Sequence, residues 1–357
     1  MDRNWDPVAA PVTGLVRPVP LDPAGSVGPT RGQARGAGWR RTTTGLYVPV
    51  DVSDAQVEQR ILEQSMRLGA EPGAGAVTGW AALRLHGGGF FDGLDRDGRT
   101  CLPVPLLAVG DRFRAHPAIA VSREPLAGDD VVLRHGVRCV SVERALFDEM
   151  RRGRDQRDAV VALDMACAAG LTSIARMRAY VARRGGWRGV AQVRWALDHG
   201  DEHSRSPQET RLRLIWVLDA GWPPPLCNRT LLSLTGVELG TPDLLDVDRA
   251  VVGEYDGADH RDGVRHRRDV GREDGFRRAG LEYVEVVGAD LHDAALVVAR
   301  MEEAARRAAR AGSAGLPRRW RLGPARESLD ARLDRQDLRQ AIAADLAADT
   351  AAGGVTP

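Results

Sequence analysis

Hydrophobic and polar positions change rhythm along this chain, and each rhythm predicts a different element. Residues 1–40 are rich in Pro, Gly and Ala without any period and are expected to form a mobile arm. "GLYVP" (45–49) reads as a short strand. Ser53 stands where a helix cap belongs, and Val57, Ile61 and Leu68 then fall on one side of a helix. "TGWAALRLHG" (78–87) predicts a short helix with Thr78 as cap and Gly87 as stop. Between 102 and 142, "PLLAV", "AIAVS" and "DDVVLRHGVRCVS" alternate apolar and polar in pieces, the pattern of short antiparallel strands. Helical spacing follows at 141–152, 156–169, 172–184 and 188–198.

A second unit begins near Ser204, after the polar run "DHGDEHSRS" (198–206). "SPQETRLRLIWVLDAG" (206–221) carries strong helix signals: Ser206 as cap, Pro207 at the first position, Glu209 at the third and Gly221 as stop. "WPPPL" forces extended backbone. Strands are expected at 234–240, 242–247 and 250–256, then an Arg-rich helix at 262–279, a strand in "LEYVEVVGADL" and a helix at 289–310. The order α, β, β, β, α, β, α predicts an α/β unit with a sheet flanked by helices. The expected organisation is an arm (1–40), a mainly helical α+β domain (41–203), the α/β domain (204–311) and an Ala- and Arg-rich tail (312–357), with one loose helix at 325–348 in the tail.

Length changes little in this picture: 357 residues suffice for two domains that each bury a core. Apolar runs fall far short of a membrane span, and no secretory signal is evident at the N-terminus, so neither a membrane nor export is expected. Cys101, Cys139, Cys167 and Cys227 are far apart and form no CxxC, which points to a reducing cytoplasm. The net charge is +1, so any attraction to nucleic acid must be local. All 50 basic residues are arginine. The absence of lysine excludes a Walker-type phosphate loop, a Schiff-base enzyme and a lysine general base.

The stretch "TPDLLDVDRAVVGEYDGADH" (241–260) sets Asp243, Asp246, Asp248, Glu254 and Asp256 among strand-forming aliphatics. Such charge marks either an exposed acidic loop or a divalent-cation site. Side chains alternate along a strand, so Glu254 and Asp256 share one face, roughly 7 Å apart at the backbone. The short turn "DVDR" lets Asp243 fold back beside them. Converging carboxylates suit a hard cation with oxygen ligands, Mg²⁺ or Mn²⁺. His260 follows at a distance from which its ring can face the same cluster. Tyr255 points to the opposite face and is expected in the core.

Together, "SPQETRLR", "PDLL", "VVGEYDGADH" and "RRDVGREDGFRRAGLEYVEV" resemble the Vsr-like branch of the PD-(D/E)XK nucleases, the domains related to very-short-patch repair endonucleases. The resemblance covers about 204–300. It implies a PD-(D/E)XK sheet that hydrolyses DNA phosphodiesters with Mg²⁺ or Mn²⁺ and needs no small-molecule cofactor. By that resemblance, Asp243 and Glu254 hold the metal, and Glu209 matches a glutamate on the first helix. His260, Asp269 and Arg272 match positions after the strand. Asp256 occupies the superfamily's lysine position, which leaves His260 as candidate base.

Each residue also has a plainer reading. Glu209 three residues after Ser206 is a capping box. Asp256 can take hydrogen bonds from the following turn. Arg265, Arg268 and Arg272 lie on one helical stripe, a solvated face by default and a phosphate-contacting face beside a metal site.

In the first half, "TTTGLYVPV", "VTGWAALRLHG", "GVRCVSVERALFDEM" and "AVVALDMACAAGLTS" resemble AbiEi-type abortive-infection antitoxins, whose winged helix binds promoter DNA. A purely structural α+β domain is the alternative. "HGGG" (86–89) looks like a lipase oxyanion motif, but no GxSxG elbow accompanies it, so a glycine-rich turn is the better reading. No HExxH or other zinc spacing is present. The expected function is a metal-dependent DNA endonuclease, with a non-catalytic DNA-binding regulator as alternative. DNA is the expected partner, and a homodimer is left open.

Overall fold

In the computed structural model, which describes residues 14–69, 75–108, 116–257, 273–313 and 318–353, the segment before residue 41 is not an arm over its described part. Strands β1 (Val19–Pro20), β2 (Trp39–Thr43) and β3 (Leu46–Pro49) form an antiparallel sheet in the order β1-β3-β2. The Gln59 amide donates to the Val16 carbonyl at 2.9 Å, and its oxygen accepts the Val16 N–H at 3.0 Å. The Asp22 carboxylate accepts the N–H groups of Ala24, Ser26 and Val27. These partners satisfy backbone groups that composition alone marks as unstructured.

Helix α1 (Val57–Ser65) starts after Gln56, and Ser53 does not cap it; the Ser53 hydroxyl accepts the Ala55 N–H instead. Strand β4 (Gly75–Val77) leads into α2 (Gly79–Leu85). Thr78 holds the N-cap position of α2, but its hydroxyl donates to Asp148 at 2.7 Å rather than capping. Strands β5 (Val104–Ala108), β6 (Ile119–Ser122), β7 (Val131–Arg134) and β8 (Val137–Val140) join β4 in the order β6-β5-β4-β8-β7. The sheet is mixed: β5 and β6 run parallel, as do β4 and β8. This corrects the expected antiparallel meander, because alternation reports the buried face and not the direction of the neighbour. Helix α3 (Val142–Arg152) carries Asp148, which is fully buried and accepts from Thr78, Arg144 Nε and Arg151 Nε. A buried carboxylate with three donors thus stands in this interior.

Helices α4 (Gln156–Ala168), α5 (Ile174–Ala182), α6 (Val190–His199) and α7 (Pro207–Leu214) follow. Asp164 on α4 is fully buried and accepts Arg213 Nη2 (2.7 Å) and the Thr210 hydroxyl (2.9 Å), both from α7. The run expected as a linker joins the same network: the Asp201 N–H donates to Asp164 at 2.8 Å. The chain accordingly divides into a unit of the described residues up to Gly153 with Arg184–Val193, and a unit of Arg154–Arg183 with Arg194 onward. The boundary expected at 203–204 falls inside the second of these.

Past α7 the helix widens into a π-turn over Ile215–Asp219, and Gly221 (φ 65°) ends it. Strands β9 (Leu226–Cys227), β10 (Leu231–Ser233), β11 (Glu238–Gly240), β12 (Leu244–Asp246) and β13 (Val251–Asp256) come next. The strand expected at 234–240 is the far half of the β10–β11 hairpin. Helix α8 (273–278), β14 (Glu282–Val287), α9 (Ala294–Ser313), β15 (Trp320–Leu322) and α10 (Leu329–Gly353) complete the order.

The central sheet runs β14-β13-β12-β9, with β13 and β14 parallel and the other pairs antiparallel. One face packs Leu212, Trp216, Val251, Val284, Val286 and Met301. The other packs Leu245, Val252, Phe276, Leu281 and Trp320. Burial on both faces explains why β13 begins as a continuous apolar run. The tail is a structural part of the unit: β15 pairs with β10, Trp320 enters the core, and Leu329 and Leu333 are buried. Among the described residues, no helix is long and apolar enough to cross a membrane.

Candidate functional site

The acids of 243–256 divide by their position on the sheet. Asp246 is buried in the β12–β13 turn, where it accepts the Arg249 N–H (2.8 Å) and pairs with the Arg249 guanidinium (3.0 Å). It is a turn residue. Asp243 lies immediately before β12. Register pairs Leu244 with Gly253, so one step outward Asp243 stands opposite Glu254. The Asp243 carboxylate reaches across, and its Oδ2 accepts the Tyr255 N–H at 2.8 Å. Glu254 is buried, with 5% of its surface exposed, and its Oε2 accepts the Tyr283 hydroxyl at 2.7 Å. A carboxylate accepts at about four lone-pair sites, so one donated bond orients it without exhausting its capacity.

Asp256 lies two residues on, at the half-buried end of β13, on the face of Val252 and Glu254. Tyr255 packs against the opposite core cluster, as its alternation requires. Gly253 allows Trp216 to approach β13: a Cβ there would meet the Trp216 ring at 3.1 Å.

Two further acids, Glu285 and Glu209, come from outside the stretch 241–260. Glu285 on β14 is the register partner of Glu254. Burial, the charges of Asp256 and Glu273, and a hydrogen bond with Asp256 raise its pKa, against the pull of Arg300. The parallel pairing of β13 with β14 brings these groups together across a gap of about 25 chain positions whose length sequence alone does not translate into register. The available signal was the alternation Tyr283, Glu285, Val287 along β14.

Glu209 is buried in the first turn of α7. Its N–H donates to Ser206 Oγ, and its Oε2 accepts the Arg205 N–H (2.8 Å) and the Asn228 side-chain amide (2.6 Å). Burial pushes its pKa up, and hydrogen bonds to the carboxylate from the Arg205 N–H, the Asn228 amide and the Ser206 side chain oppose that. Asn228 in turn donates its N–H to the Asp243 carbonyl at 2.9 Å. Glu209 therefore reaches the Asp243 end of the sheet through Asn228. His260, Arg265, Arg268, Asp269 and Arg272 lie outside the described residues.

The chain matches no family model, no curated protein and no solved structure.

Chemically, the end of the sheet presents a row in register: Asn228, Asp243, Glu254, Glu285. Among the described residues, no group of three or more His, Cys, Asp or Glu side chains is disposed to hold a metal ion. Asp243 and Glu254 are nevertheless an all-oxygen pair, and a small hard cation is held by one or two carboxylates with waters completing its shell. That donor set fits Mg²⁺ or Mn²⁺ and does not fit zinc.

Proposed function

We propose that the C-terminal unit is a metal-dependent endonuclease that hydrolyses DNA phosphodiester bonds, as its resemblance to the Vsr-like branch of the PD-(D/E)XK nucleases implies. The observation that carries this reading is the pairing of Asp243 with Glu254 across the β12–β13 ladder, with the Asp243 carboxylate held by the Tyr255 N–H. Asp243 and Glu254 would hold Mg²⁺ or Mn²⁺, and the bound ion supplies Lewis acidity toward the phosphate and a more acidic water. Tyr283 fixes the Glu254 carboxylate. Asp256 extends the acidic surface on the same face, and Glu209 steadies Asn228 beside Asp243. His260 is the proposed proton acceptor, and Arg265, Arg268 and Arg272 the proposed contacts to the DNA backbone.

The second reading is a non-catalytic, antitoxin-like DNA-binding regulator that keeps an inactive nuclease fold. It is favoured by Asp256 in place of the superfamily's lysine. Plasmid DNA and duplexes, mismatched ones included, separate the two when incubated with Mg²⁺, with Mn²⁺ and with chelator. Nicking that needs metal supports the enzyme. Specific duplex binding without cleavage of any form replaces it with the regulator.

A further inference from the structure

Three arginines from distant parts of the chain meet beside the Asp243 end of the sheet. Arg205 precedes the Ser206 cap of α7. Arg229 follows Asn228, and Arg326 lies between β15 and α10. The Arg326 guanidinium donates to the Asn228 carbonyl, and Arg229 Nη2 donates to the Gly323 carbonyl at 3.0 Å. The Arg205 N–H and the Asn228 amide share Glu209 Oε2. The three segments are thus clasped around Asn228, whose own N–H reaches Asp243.

These cations are close enough to act on one another. Burial and then the charges of Arg205 and Arg229 lower the pKa of Arg326, against the opposing charge of Asp201. The carbonyl partners of Arg229 and Arg326 orient their guanidinium groups without neutralising them. The charge of Arg205 also acts on the Glu209 carboxylate, and an anion that accepts from the guanidinium forks gains charge-assisted hydrogen bonds.

We infer that Arg205, Arg229 and Arg326 form a phosphate-binding subsite that takes the backbone of a DNA strand beside Asp243. This rests on the endonuclease reading and deepens it. It adds a contact surface built from the segment before α7, the β9–β10 loop and the segment before α10.

The test uses the full chain, a fluorescently labelled duplex and anisotropy in chelator over a series of salt concentrations. Arg205→Gln and Arg229→Gln are each expected to weaken binding about tenfold, the scale of one charge-assisted hydrogen bond. Each should also lower the magnitude of the salt slope by about 0.9, one phosphate contact, whatever the duplex sequence. Arg229→Lys should restore the wild-type slope. Arg326→Gln also loses its tie to Asn228, so it is read beside its melting temperature. Wild-type affinity and slope in both Arg205→Gln and Arg229→Gln overturn the subsite. If wild type still nicks DNA with Mg²⁺ in that case, the subsite alone fails. If wild type neither binds nor nicks DNA, the endonuclease reading fails with it.

Discussion

The Tyr255 backbone N–H donates to the Asp243 carboxylate at 2.8 Å, so the β12–β13 ladder ends on a side chain rather than on a carbonyl. Asp243→Asn keeps an oxygen for that bond and loses the charge a hard cation needs. Metal-dependent nicking is expected to disappear while the melting temperature without metal stays level or rises slightly. Duplex binding in chelator should persist or strengthen, since one negative charge facing phosphate is gone. Glu254→Gln is expected to behave alike. Equal cleavage by wild type and Asp243→Asn would place the site elsewhere.

Tyr283→Phe removes the donor to the buried Glu254 carboxylate and leaves the ring in place. A hydrogen bond to a charged group contributes about 1.5–3 kcal/mol, and a loss of that order is expected in chemical denaturation without metal. Denaturation curves that coincide with wild type would show that the hydroxyl does not hold Glu254.

Asp164 and Arg213 join α4 to α7 across the boundary that the sequence pattern suggested. Burial works against the charged form of both. For Arg213 the charges of Asp164 and Asp201, with the hydrogen bond to Asp164, win, and its pKa is raised. Arg213→Met is expected to cost roughly 3–5 kcal/mol, because it strands a buried carboxylate. Asp164→Leu with Arg213→Met should recover part of that loss. A double variant less stable than the worse single variant would contradict this account.

For Asp164 burial outweighs the pair, and its pKa is raised to about 6 from 3.8. The folded state therefore binds this proton more tightly than the unfolded state. The stability it contributes is fully present below about pH 3.8 and is lost as pH rises through about 6. The change is on the order of 3 kcal/mol by the pKa–energy conversion. Asp164→Asn is expected to remove this slope, so the stability difference between wild type and variant should vary over that window. Urea denaturation of both proteins at several pH values measures it, and a constant difference would rule it out.

Trp320→Ala tests whether the tail belongs to the fold. Trp320 lies in the cluster with Leu231, Val252 and Phe276 on the site-bearing face of the sheet. Truncation of a buried Trp costs about 3–5 kcal/mol. A melting temperature unchanged from wild type would return residues 318–322 to the status of an appendage.

The sequence by itself determined most of the helices, the Ser206–Glu209 start of α7 and the placement of Glu254 and Asp256 on one face of β13. These depend on local spacing, which periods of 3.6 and 2 record directly. It also marked Asp243 as able to fold back on β13, because the turn between them is short. Tertiary structure decided the rest. Strand direction in the first sheet, the pairing of Glu254 with Glu285 and the approach of Arg205, Arg229 and Arg326 depend on which distant segments pair. The Pro- and Gly-rich start and the Arg-rich tail look unstructured locally. Gln59 and the β10 strand supply the partners for their backbone groups, and local composition carries no record of those partners. The polar run near residue 203 has partners hidden from local pattern for the same reason. A polar run reads as a linker until a buried Asp164, 37 positions earlier, accepts its backbone.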